Sequence, residues 1–330
     1  MKLKTFVVPF FLIIIFILGY FSNMNIKREQ LFKQTEFSLG TFVEFQVYGD
    51  DANKANNAIK LALTEIKRID ELFSSYNEKS EIYKINNSKQ NQISLSQEVY
   101  NILKLCDSIY KITNGNLDCA IGKVTFIWKD FLTKDEGNLP PVSEIRNRLN
   151  ESGWKNIELS DKVLSRTKNV EFDLGGIAKG YAVDRAIEVL KSSGIKKALV
   201  NAGGDIRTIG DGWIIGIQHP RERNQIIEKI KLDNRAVATS GDYEQFKVFN
   251  GKRYHHIINP FNGYPVSNCM SVTVIAESDA YADGLSTGIF LLGVEKGLQL
   301  VNSLPEVEAF IVDKEGQIHM SEGFKNYLWR

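Results

Sequence analysis

Cysteine is scarce in this 330-residue chain: Cys106, Cys119 and Cys269 are an odd number at wide spacing, with no CxxC pair. That excludes a disulfide framework and the usual zinc-site spacing, and leaves three small apolar residues for the interior. Neither sign of charge dominates, since 41 Lys+Arg stand against 40 Asp+Glu for a net charge of +1. With no basic block and no aromatic ladder, nucleic acid is not an expected partner. Sequence-period repeats, low-complexity segments and a convincing internal linker are also missing. What is present is 43% hydrophobic content, enough for a substantial core.

The one long apolar run stands at the start, where Lys2 and Lys4 precede residues 6–21, rich in Phe, Val, Ile and Leu. As a helix it would span ~24 Å, slightly short of the ~30 Å hydrocarbon core. Residues 1–24 therefore read as a signal peptide or an N-terminal membrane anchor. With no clear A-x-A site and no cysteine placed for a lipid, the preferred reading is an uncleaved anchor, lysines inside and the rest outside. Residues 25–34 read as a polar linker and residues 35–330 as one compact domain.

Within that domain, residues 35–48 alternate and are rich in β-branched and aromatic residues, which predicts a first strand. Residues 52–73 place Ala58, Ile59, Ala62, Ile66, Ile69 and Phe73 at helical spacing. Residues 96–112 form a second helix closed by Gly115, and a short aromatic helix follows Gly122. Beyond residue 154 strands outnumber helices, with helices at 177–189 and 279–292. Long helices between runs of neighbouring strands predict an α+β fold of largely antiparallel sheets flanked by helices.

Residues 170–185 combine a strand end, Asp173, the pair Gly175-Gly176, Lys179 and a helix start. Glycines let the backbone approach a ligand, and the first helix amides point unpaired N–H groups at it, which suits a phosphate. The stretch matches neither GxxxxGK[ST] nor GxGxxG, and its plain structural reading is a tight turn with a solvated lysine. Asn201-Ala202-Gly203-Gly204-Asp205 is a second glycine turn, with a hairpin-like corner as its plain reading, and residues 239–244 are turn-like. His255 and His256 are adjacent at a strand end, so they point to opposite faces and cannot share one ion; either acts as an acid or base, or both are packed polar residues. Asp279, Asp283 and Thr287 recur every four residues, one polar row on a helix that suits a hard cation such as Mg²⁺. The alternative is that Asp279 caps the helix and Thr287 bonds back to its own turn.

Taken jointly, Gly175 to Asp184, Asn201 to Asp205, Ser240 to Glu244, His256-Ile257-Ile258-Asn259-Pro260 and Asp283 to Thr287 resemble the ordered motifs of the FAD:protein FMN transferases, the ApbE family. Ser38-Leu39-Gly40-Thr41 resembles the first motif of that family, with Leu39 where methionine is more usual, and Asn259 stands where Asp is more usual. The resemblance implies an ApbE-like, T-fold-related single large domain. It also implies an extracytoplasmic, Mg²⁺-dependent enzyme that splits FAD, its substrate, and joins the FMN half to a Ser or Thr of an acceptor protein, releasing AMP. That acceptor would be a membrane-associated electron-transfer protein.

By the same resemblance Gly176 (through its carbonyl), Asp283 and Thr287 hold the metal. Lys179 takes phosphate charge and His256 is the general base. Leu39, Tyr76, Asp118, Ala120 and Asp173 lie near the flavin or adenosine, and Asp279 is a further ligand or only a cap. The rival readings are an FAD pyrophosphatase giving FMN and AMP, and a flavin-binding surface protein without turnover.

Overall fold

The computed structural model describes residues 29–134 and 137–330. The N-terminal segment read as signal or anchor lies outside them. Among the described residues, no helix is long and apolar enough to cross a membrane.

The chain opens with a two-residue hairpin, β1 (Gln30–Ser38) and β2 (Thr41–Gly49). One strand over residues 35–48 was expected, and the first strand begins five residues ahead of it, inside the stretch read as linker. The hairpin turns at Leu39 and Gly40, both with positive φ (55° and 71°), a pairing whose twist suits tight hairpins. Leu39 tolerates this because its amide donates to Asp70 Oδ2 at 3.1 Å.

Helix α1 (Ala52–Phe73) follows, capped by Asp51, whose side chain accepts from the amides of Asn53 and Lys54. Then come α2 (Glu81–Asn87), β3 (Gln92–Ser94), α3 (Gln97–Ile112), α4 (Gly122–Thr133), α5 (Val142–Asn150), β4 (Ile157–Ser160) and β5 (Val163–Arg166). The strand end read at the start of residues 170–185 is not formed: β5 stops at Arg166. Helix α6 (Ala178–Ser192) leads to β6 (Lys197–Ala202), β7 (Asp205–Ile209), β8 (Trp213–Gln218), β9 (Ile226–Leu232) and β10 (Ala236–Gly241). The remaining elements are β11 (Phe246–Phe249), β12 (Lys252–His255), β13 (Cys269–Ala276), α7 (Asp279–Leu292), α8 (Val294–Ser303), β14 (Glu308–Asp313) and β15 (Ile318–Met320).

One eight-stranded sheet, ordered β1-β2-β6-β7-β10-β13-β14-β15, organises the molecule, and its paired strands run antiparallel. This is the α+β architecture expected. On one face Val43, Phe45 and Val47 alternate into a core shared with α1, α3, α6 and α7. On the other face the β8–β9 hairpin buries Trp213, Ile215 and Ile217 in a second cluster. A third cluster around Trp128 ties α4 to the segment after β12, where the Trp128 indole donates to the Gly263 carbonyl at 2.7 Å. The three cysteines are free and buried.

Two close crossings position the site. A Cβ on Gly180 would overlap the Asp279 carbonyl, so only glycine lets the starts of α6 and α7 touch. The Asp184 carboxylate accepts from the amides of Asp279 (2.8 Å) and Ala280 (3.0 Å) and pairs with Arg207 at 2.6 Å. An anion on unpaired helix amides is a favourable arrangement, and here it fixes the entry of α7.

Candidate active site

A cleft of about 860 Å³, counted to its open mouth, lies where α6, α7, the end of β10 and the segment after β12 meet. Gly176, Lys179, His256, Asp283 and Thr287 all line it, together with Asp118 and Asp173. Residues more than a hundred apart in sequence thus share one space. Leu39 and Tyr76 line an adjoining cleft that shares Lys129, Asp173, Gly175 and Lys179 with the first. Tyr76 is 70% exposed, its ring 6.0 Å from that of Phe126. Ala120 is wholly buried in the core behind these surfaces, and its amide donates to Asp118 Oδ1 at 2.8 Å.

Helix α7 presents Asp283 and Thr287 one turn apart. Asp283 Oδ2 accepts from the Gly180 amide at 3.2 Å. Burial and the charge of Asp205 push the Asp283 carboxyl up to about 7, against the pull of Lys179. Thr287 Oγ1 lies 2.9 Å from Ser240 Oγ, which is 2.7 Å from Ser286 Oγ. The alternative in which Thr287 bonds back to its own turn is not what forms: its partner is on β10, because α7 packs directly on that strand. A Cβ on Gly176 would sit 3.2 Å from Thr287 Oγ1, so the glycine corner presses its backbone against the hydroxyl.

Asp279 is not the cap of α7; Ser278 is, accepting from the Tyr281 amide at 3.2 Å. Both Asp279 carboxyl oxygens are buried without a hydrogen-bond partner, and burial with the charges of Asp205, Asp184 and Asp283 raises its pKa well above the usual range.

Lys179 is not a solvated lysine. Its ammonium pairs with buried Asp205, which the Gly203-Gly204 turn between β6 and β7 brings under it. Burial pulls the group down, but Asp205, Asp283 and Glu244 outweigh it and hold the ammonium charged. Glu244 lines the cleft beside these charges, where desolvation and the charges of Asp205 and Asp283 raise it to about 7 against the pull of Lys179.

Asp173 accepts from Thr125 Oγ1 (2.6 Å), Lys129 Nζ (2.9 Å) and the Gly175 amide (3.0 Å). Burial would raise it, but Lys129 holds it below the ordinary carboxylate range. Lys129 is a second cation of the cleft that sequence reading passed over. The available signal was the i, i+4 spacing of Thr125 and Lys129, which puts both on one face of α4. Asp118 accepts from the Trp154 amide at 2.9 Å as well as from Ala120, yet burial raises it to about 6.

His255 ends β12 and is buried, its Nε2 2.5 Å from the Val266 carbonyl. His256 falls just past the strand and turns into the cleft. Burial and neighbouring His255 lower it to about 4, so the imidazole is neutral near pH 7. Its Nδ1 lies 3.4 Å from the Gln245 carbonyl, which only accepts; that contact favours the proton on Nδ1 and leaves Nε2 as acceptor. Asn259 uses its side-chain oxygen to accept from the amides of Phe261 (2.8 Å) and Asn262 (3.3 Å). An amide oxygen makes this turn as a carboxylate would, which accounts for the substitution at that motif position.

Among the described residues, no three His, Cys, Asp or Glu side chains are grouped to hold a metal ion. The oxygens of Asp283, Thr287 and Gly176 are a different kind of set: hard donors with a single carboxylate, which suits an ion that draws its other ligands from phosphate and water.

Comparison with known proteins agrees with this geometry. An FAD:protein FMN transferase of Klebsiella pneumoniae is 30% identical over 289 residues, covering 86% of this chain and 89% of that protein. One from Vibrio cholerae is 31% identical over 284 residues, 82% of this chain and 85% of its own length. The crystal structure of the ApbE protein from Thermotoga maritima superposes with a TM-score of 0.85 at 35% identity, over 91% of this chain and 100% of that one. The flavin transferase ApbE from Vibrio cholerae gives 0.81 at 27% identity, with the same coverage. The sequence model of the ApbE family matches residues 39–311, most of the chain and every element around the cleft, so this chain belongs to the ApbE family.

Proposed function

We propose that this chain moves the FMN half of FAD onto a Ser or Thr hydroxyl of an acceptor protein outside the cytoplasm, with AMP leaving and Mg²⁺ required. The observation that carries the reading is the convergence of Gly176, Lys179, His256, Asp283 and Thr287 on one cleft. Asp283, Thr287 and the Gly176 carbonyl would hold the Mg²⁺. Their fit rests on the buried Asp283 carboxyl, whose ionised form burial disfavours and a cation restores. Bound there, Mg²⁺ would neutralise charge on the pyrophosphate.

The chain's own groups do the rest. Lys179 offers the donors that Asp205 leaves free to the phosphate oxygens. Nε2 of His256 accepts the proton of the acceptor hydroxyl as that oxygen bonds to the FMN phosphorus and the anhydride bond to AMP breaks. Asp173, locked by Thr125 and Lys129, holds the glycine corner in place. The lysine-flanked apolar run at residues 6–21 supports a membrane anchor with this cleft on the far side, which protease accessibility in intact cells checks.

Incubating the purified chain with FAD, Mg²⁺ and extracts of cells lacking it tests the chemistry. Flavin fluorescence persisting on a denatured protein band is the expected result. Free FMN with AMP and no labelled band would mean hydrolysis, and intact FAD would mean binding alone.

A further inference from the structure

A second groove, of about 1220 Å³, lies on the opposite face of the large sheet and opens beside the active-site cleft, with Thr239 and Glu244 lining both. It exists because the β8–β9 hairpin covers only part of that face. Register sets its floor: Thr35 pairs with Glu44, Glu44 with Asn201, Asn201 with Ile206 and Ile206 with Val237, one row across β1, β2, β6, β7 and β10. Four interstrand steps of ~4.8 Å make this row about 19 Å long, room for about six extended residues.

At the outer end Phe37 and Phe42 face each other across the hairpin, 65% and 68% exposed, with ring centroids 5.6 Å apart. Large exposed aromatics on a tethered turn mark a contact surface rather than a core. The lining chemistry identifies the partner. Hydroxyls, amides and the carboxylates of Glu44 and Glu244 line the groove, and among the described residues no lysine, arginine or histidine does. The active-site cleft, by contrast, contains Lys129, Lys179 and His256. A dinucleotide phosphate has no counter-charge in the groove, whereas an uncharged or basic polypeptide is at home there.

From this continuity and charge pattern we infer that the groove seats an extended, uncharged or basic segment of the acceptor protein, entering over Phe37 and Phe42 and delivering its hydroxyl past Thr239 and Glu244. The inference rests on the transfer reading above and specifies where its second substrate lies.

The test uses the protein that gains covalent flavin in the extract experiment, purified as the acceptor, with three variants of the full chain. Thr35→Trp fills the groove from an exposed strand position, Phe42→Ala removes the exposed aromatic anchor at its rim, and Phe42→Trp keeps that anchor. The first two are expected to raise KM for the acceptor by about tenfold or more, a loss of about 1.4 kcal/mol. Their FAD affinity and kcat should stay within about twofold of the parent chain, which also shows that they fold, and Phe42→Trp should behave as the parent does. An unchanged acceptor KM in both Thr35→Trp and Phe42→Ala overturns the groove assignment and leaves the transfer reading intact. A parent chain that binds FAD but labels no protein overturns the transfer reading, and the groove assignment falls with it.

Discussion

At Asp283 a buried carboxyl accepts from the Gly180 amide and stands one turn from the Thr287 hydroxyl, with the charge of Lys179 acting on it. Asp283→Asn keeps the volume and removes the charge, so FMN transfer should fall by about 10²-fold or more at every practical Mg²⁺ concentration. Covalent flavin per acceptor measures it, and near-normal turnover would take Asp283 out of the proposed metal site. His256 makes a different prediction, because a pKa of about 4 leaves the imidazole of the proposed base unprotonated well below neutrality. The acid limb of the rate should lie below about pH 5, not near the usual histidine value of about 6.5. His256→Ala should lose about 10²–10⁴ in kcat while fluorescence titration still shows FAD binding. If the mutant keeps the parent's pH profile, another group is the base.

At the scale of elements, the site depends on how α6 and α7 meet. Neither helix alone places Thr287 against Gly176 and Asp283 on the Gly180 amide; the crossing at Gly180 and the Asp184 contact to the α7 amides do. Gly180→Ala would drive a methyl into the Asp279 carbonyl and part the two helix starts. It should destabilise the fold by about 1–3 kcal/mol in denaturant unfolding, with m unchanged, and weaken Mg²⁺ binding as Asp283 moves. A variant with parental stability and parental Mg²⁺ affinity would show that the crossing is slack. The helices α1 and α3 and the Gly115 stop were legible from residue type alone. The β1–β2 turn was not, because alternation continues straight through Leu39 and Gly40, and only the register shows that the chain reverses there.

For the molecule as a whole, pH reports on buried carboxyls. Asp118 has a folded-state value of about 6 against an ordinary 3.8, so between these the native state holds a proton that the unfolded chain has lost. The stabilisation from this group is therefore complete below about pH 4 and gone above about pH 6. Relative to Asp118→Asn, which cannot titrate, the parent chain should lose about 3 kcal/mol of unfolding free energy between those limits. Urea unfolding of both proteins at pH 4, 5, 6 and 7 measures the difference, and a pH-independent gap would mean that Asp118 ionises as freely as in solvent. Acidic denaturation of the whole chain adds other groups with opposite sign, Asp173 among them.

The sequence by itself determined the fold class, the helix faces and which short stretches bear the chemistry, because periodicity, caps and turn glycines are local properties of a few neighbouring residues. It also carried the family, through motifs in order. Only the tertiary structure decided that Lys179 is paired with Asp205, that Thr287 bonds to β10, that Lys129 neutralises Asp173, and that a second groove meets the first at Glu244. Each of those facts is a distance between segments far apart in the chain, and burial and charge act through such distances, not through spacing along the sequence.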